Sequence, residues 1–110
     1  MPFYMFQGRY TTDSIKSLVA SPQDREAAAR GMIESLGGKL HHFFFSFGSE
    51  DVVAIMEMPD DTTMAAGSML VGGSGAMSAG TTTKLLTMSD AMDAMTKAGA
   101  AHGHYHPVSG

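Results

Sequence analysis

Three short stretches of this chain are apolar on both sides at once. Phe3, Tyr4, Met5 and Phe6 follow one another, as do Phe43, Phe44 and Phe45, and then Val52, Val53, Ala54, Ile55 and Met56. Each run is short and rich in aromatic or β-branched residues, so each reads as a strand. A strand points successive side chains to opposite faces, and a sheet wet on one side therefore alternates apolar with polar. These three do not. Whatever sheet they build needs cover on both of its faces.

The segments between them supply the rest of the pattern. The stretch 2–10, "PFYMFQGRY", is the first strand. The stretch 11–38 is a helix with a step in it: Thr11 is an N-cap, Asp13 lies in the first turn, and "SPQD" restarts the helix with Ser21 as cap and Pro22 at its first position. Ala28, Met32, Ile33 and Leu36 form its inward stripe, and Gly37-Gly38 ends it. "KLHHFFFSF" (39–47) is the second strand, with Leu40, His42, Phe44 and Ser46 on one side and His41, Phe43, Phe45 and Phe47 on the other. "GSED" (48–51) turns the chain into a third strand, 52–59, which "PDD" stops. A helix over about 61–72, a flexible glycine-rich break over 72–80, a fourth strand over 81–87 and a last helix over 88–100 follow. The order β-α-β-β-α-β plus a terminal helix is the α+β, ferredoxin-like pattern: an antiparallel sheet with two helices on one face. Two helices cover one face only. A bare apolar face is a patch that monomers rarely carry, so the sheet is expected to stack on a second copy as a dimeric α/β barrel.

With 110 residues the chain has room for one core, read as a domain over 1–100 and a histidine-containing tail over 101–110. Charged residues make up only 16%, little to coat a surface, which again favours a hidden face. The net charge is −4 with no basic run, so nucleic acid is not an expected partner. No apolar run reaches the roughly 20 residues of a membrane span, and "MPFYMFQGRY" lacks the build of a signal peptide, so the expected setting is the cytoplasm, away from the membrane. The absence of cysteine removes disulfides, thiolate chemistry and Cys-ligated metals together. The 11 methionines read chiefly as adaptable core filler.

"ESLGGKL", "FFFSFG" and "DVVAI", set within "RGMIESLGGKLHHFFFSFGSEDVVAIMEMPDD" and flanked by "MPFYMFQGRYTTDSIKSLV" and "TTTKLLTMSDAMDAMTKAGA", resemble the GYD-domain family of small bacterial and archaeal proteins over about 1–100. The family signature lies at the turn between the second and third strands. Here Gly48 and Asp51 match it and Glu50 stands where tyrosine is usual. The resemblance implies a dimeric α/β-barrel assembly. It selects no activity, because that wider group holds cofactor-free monooxygenases, isomerases, haem-dependent enzymes and ligand-sensing regulators.

The residues that can carry chemistry are few. His41 and His42 are adjacent in a strand and are expected on opposite faces, with His42 beside Ser46 as a polar pair in an aromatic strand. Arg9 ends the first strand next to Gln7 and Tyr10, and Glu57 on the third strand is placed to pair with Arg9 or Lys84. Asp51 is read as a turn-stabilising residue. His102, His104 and His106 alternate, so an extended tail puts three imidazoles on one side, a weak candidate for zinc, nickel or copper; no carboxylate shell adjoins them, and a metal site is not favoured. No catalytic triad or HExxH spacing is present. The expectation is a homo-oligomeric module, without a cofactor, that binds a small apolar or anionic ligand through Arg9, His42, Ser46 and Glu57, or serves in assembly or regulation. The alternative is a cofactor-independent monooxygenase or isomerase using His42, Tyr10 and Arg9 around a pocket between sheet and helices.

Overall fold

The structure, a computed structural model, describes residues 1–109. The last residue of the expected tail, Gly110, lies outside the described residues. Strands β1 (Phe3–Tyr10), β2 (Lys39–Phe45), β3 (Val52–Glu57) and β4 (Met77–Leu85) form one antiparallel sheet in the order β2-β3-β1-β4. Helices α1 (Thr12–Ala20) and α2 (Arg25–Ser35) join β1 to β2, α3 (Asp61–Gly73) joins β3 to β4, and α4 (Met88–Ala101) follows β4. This is the expected α+β, ferredoxin-like fold, with β1 central.

Each helix begins where a short oxygen-bearing side chain can take up an orphan N–H. Thr11 accepts from Ser14 N at 3.2 Å, Asp24 from Ala27 N at 3.0 Å, Asp60 from Thr63 N at 2.8 Å and Thr87 from Asp90 N at 3.1 Å. Such a cap contributes about 1 kcal/mol. The restart of the first helix comes three residues later than expected. Ser21 N–H is committed to the Ser17 carbonyl that closes α1, and Pro22 holds Ser21 out of the helical region, so Asp24 caps α2 instead. At the far end, Gly37 turns the chain out of α2 with φ +83°.

Cross-strand register sorts the sheet into two faces. Tyr4, Met56 and Leu40 share one row and Phe6, Ala54 and Phe43 the next, all toward α2 and α3. There they meet Ile33 and Met64, which with Met58 complete the buried core. Phe3 with Glu57, Met5 with Ile55 and His42, and Gln7 with Val53 and Phe44 occupy the opposite face, which none of the described helices covers.

Three further expectations need correction. The first concerns β2, where the register slips between Leu40 and His42 because His41 is the extra residue of a bulge. A bulge sends two successive side chains to one side. His41 and His42 therefore both lie on the open face, while Leu40 joins Phe43 and Phe45 on the helix face. The second concerns β4, which begins at Met77 and not at 81: the segment read as a flexible break is zipped to Gly8, Arg9 and Tyr10 of the central strand. Ladder pairing overrides the weak strand propensity of its small residues. The third concerns methionine. Met56, Met58 and Met64 fill the core, but Met88, Met92 and Met95 on α4 are exposed, and every residue of that helix except Ala91 stands in solvent.

One polar group is locked into the helix face. Tyr4, buried, donates its hydroxyl to Asp61 Oδ1 at the start of α3, and Lys84 Nζ lies 2.9 Å from the same carboxylate. Burial first, then the bond to Asp61 and the negative charges of Asp61 and Asp60, push the Tyr4 phenol up to about 12. The native state therefore favours the neutral phenol, with its contribution complete below the ordinary value near 10 and lost as pH rises through about 12. In an ultraviolet titration of the folded protein, one of the three tyrosines should resist ionisation until about pH 12. Tyr4→Phe should remove that late step and flatten the alkaline loss of stability in urea melts; an unchanged titration curve would exclude this assignment.

Candidate functional site

Between the sheet and helices α2 and α3 lies a cavity of about 240 Å³. Its wall is built from the helix face of the sheet (Phe6, Tyr10, Phe43, Ala54, Met77) and from the facing stripes of α2 (Ala28, Ala29, Met32) and α3 (Met64, Gly67, Val71). Gly67 brings the α3 backbone close to α2, since a Cβ there would already stand 3.4 Å from Leu36 Cδ1 and 3.8 Å from Met32 Sδ. Arg25, at the first position of α2, is the one charged side chain in this wall. A second, more open cavity of about 380 Å³ adjoins it under α1, lined by Thr11, Asp13, Ser14, Ser17, Leu18 and Gln23. Tyr10, Arg25 and Ala76 belong to both walls.

Tyr10 is held there from behind by the signature turn. Asp51 Oδ2 accepts from the Tyr10 backbone N–H at 2.9 Å, the Asp51 N–H donates to the Gly8 carbonyl at 2.9 Å, and Arg9 Nη1 donates to the Ser49 carbonyl at 2.9 Å. Asp51 thus ties the β2–β3 turn to the end of β1 and does not simply stabilise its own turn. The Tyr10 ring stacks on Phe45, centroids 5.9 Å apart.

The residues expected to act together are spread over two faces. Tyr10 lines the cavity on the helix face, whereas His42 and Arg9 lie on the open side of the sheet. His42 is exposed, opposite Ile55 and stacked on Phe44. Ser46 is not its partner: the hydroxyl donates to the Glu50 carbonyl at 2.7 Å and closes the turn. Glu57 bonds neither Arg9 nor Lys84. It accepts from His41 Nε2 at 2.8 Å, with Phe3 packed against the same imidazole, while Lys84 goes to Asp61. The bulge is what brings His41 round to Glu57.

The tail is not extended where alternation needs it to be. His102–His104 form a 3-10 turn that prolongs α4, and all three histidines are exposed. Among the described residues no group of three histidine or carboxylate side chains is arranged to hold a metal ion. Nor, among them, is any helix long and apolar enough to cross a membrane.

Sequence reasoning missed Arg25. The signal was available: Arg25, Ala28, Ala29 and Met32 recur at helical spacing, so the cation sits on the inward stripe of α2. Chemically, the first cavity offers van der Waals surface, one guanidinium, one phenol and the hydroxyls of Ser68 and Ser74, and its described lining holds no carboxylate or imidazole to move a proton.

No curated protein matches the chain at a significant level. Among solved structures, the crystal structure of MtbAldR superposes with a TM-score of 0.53 at 16% identity, over 78% of this chain and 53% of that one. The chain thus spans about half the length of MtbAldR, and the likeness is one of fold. A family model for the GYD domain matches residues 4–95, from the core tyrosine of β1 to the third methionine of the α4 stripe. The chain belongs to the GYD-domain family.

Proposed function

We propose that the protein is a homo-oligomeric binding module of the cytoplasm: copies join through the bare face of the sheet, and each copy keeps a small, largely apolar ligand between its sheet and its helices. The observation that carries this reading is the unequal cover of one sheet. On the helix face, Tyr4, Ala54, Met56 and Leu40 are buried. On the other, Phe3, Met5, Val53 and Ile55 are partly exposed and Phe44 is 62% exposed, and none of the described helices packs over them. Contiguous apolar surface of that kind seeks a partner, and an ordinary dimer seam needs about 800 Å² from each side. A copy of the same face, rotated by a two-fold axis, meets itself with matching chemistry and leaves no unpaired patch.

A binding role is favoured over catalysis by the separation of His42 and Arg9 from Tyr10. The cavity that could hold a substrate lies on the far side of the sheet from the imidazole that was to work on it. Native mass spectrometry or sedimentation of the full chain tests the assembly. The expected species has at least twice the 11.6 kDa of one chain at micromolar concentration. A single-chain mass under those conditions would end this reading of the open face.

A further inference from the structure

We propose that the two adjoining cavities hold one amphipathic ligand, a medium-chain monocarboxylate, with its hydrocarbon tail in the apolar cavity and its carboxylate on Arg25. This rests on reading the cavity as the ligand chamber and adds the chemical class. The tail site is a space of about 240 Å³ walled by methionine, phenylalanine and alanine side chains. Burying a chain there releases apolar surface from water at little cost, because the serines in that wall, Ser68 and Ser74, already bond Thr82 and the Val71 carbonyl. The head site is the more open neighbour, where Thr11, Ser14 and Gln23 offer polar contacts and solvent can reach.

Arg25 stands at the join of the two. Among the described residues it has no ion pair, and its one side-chain bond, from Nη1 to Gln23 Oε1 at 2.9 Å, leaves other guanidinium donors free. A planar guanidinium takes a carboxylate with two parallel bonds, which a hydroxyl or an amine cannot match. Tyr10, buried and common to both walls, adds a phenol whose hydroxyl bonds no protein group among the described residues. Asp13 faces the head site from the first turn of α1. Its charge opposes a dianionic head, which favours a carboxylate over a phosphate monoester.

Calorimetric titration of the full chain with octanoate, octanol, octylamine and octyl phosphate, each below its micelle concentration, tests the proposal. Octanoate should bind about tenfold or more tightly than octanol, as expected for one charge-assisted pair. Hexanoate should bind more weakly by about fourfold for each methylene removed. Arg25→Gln should bring octanoate down to about the level of octanol, and Val71→Phe, which fills the apolar cavity, should weaken both. Equal binding of octanoate and octanol, or a preference for octylamine or octyl phosphate, overturns the monocarboxylate assignment and leaves the apolar chamber standing. Octanoate binding that ignores both substitutions lies elsewhere and overturns it too. If the folded protein binds none of the four, the chamber itself falls with it. Subunit mass measured on the same samples reports separately on self-association.

Discussion

Gly38→Ala lowers the melting temperature by roughly 10 °C or more, the largest effect expected of any one-carbon change in the chain. The backbone of Gly38 is not in the left-handed region, so conformational freedom is not the reason. The reason is space. A methyl group there would collide with Met58 Sδ, stand 2.6 Å from the Glu57 carbonyl oxygen and lie 3.0 Å from Ile33 Cγ2. Met58 is among the most deeply buried side chains in the molecule, and Ile33 is the residue by which α2 enters the core. Neither can give way without opening the contact between helix and sheet, and the Glu57 carbonyl belongs to the strand backbone. Overpacking of this kind costs on the order of 3 kcal/mol, and each kcal/mol moves the midpoint of a domain this size by roughly 4 °C or more. Gly31→Ala on α2 is the control, because an added methyl there meets nothing within 4 Å and a helix interior gains from the exchange. Thermal unfolding by circular dichroism separates the two. A Gly38→Ala protein that melts within two or three degrees (roughly half a kcal/mol) of the parent would refute the steric account.

The order of the elements along the chain and the capping residue Thr11 follow from local chemistry that a sequence displays directly. Thr11 precedes an apolar stripe and Asp13, and the helix starts there because an orphan N–H needs an oxygen within reach. What the sequence hides is register. In "KLHHFFFSF" both possible alternations place aromatic rings and one histidine on each face, so no polarity contrast marks the bulge at His41. The outcome is set by tertiary terms: it lets Leu40 and Phe43 both enter the core and gives His41 a carboxylate partner. The start of β4 is hidden for a related reason. Ser78, Ala79 and Gly80 have no strand propensity of their own and are extended because β1 offers them a ladder.

The site was legible only in part, and the cause is the same. Tyr10 was a candidate and does line the cavity, but the company expected for it depended on which face each neighbour took. Once the bulge turns the histidines outward, His42 belongs to the open face of the sheet, while Arg9 is tied to the signature turn. Glu50, at the signature tyrosine position, lends that turn only its backbone carbonyl, to Ser46. Asp51, by contrast, fixes the backbone of Tyr10, so the turn that carries the family signature braces the residue that forms one wall of the cavity.

Ile55→Lys should separate the copies. Ile55 lies on the bare face with Met5 on one side and His42 on the other, in a strand next to the central one. In a single chain the site is half open, so a lysine there can run its methylenes along the sheet and keep its ammonium in water; the fold should survive with little loss. In a face-to-face pair that escape closes. Two-fold symmetry places one new charge on each copy, both under the same seam, with Glu57 already taken by His41. Breaking a buried apolar contact with an unpaired charge costs about 3 kcal/mol or more, so the dissociation constant should rise by roughly two orders of magnitude at the least. Ile55→Val keeps the face apolar and should leave the pair intact. Equilibrium sedimentation of the two variants beside the parent measures the shift directly. If the lysine protein remains associated at the parent's concentration, the copies meet through some other surface, and the exposed stripe of Met88, Met92 and Met95 on α4 becomes the face to mutate next.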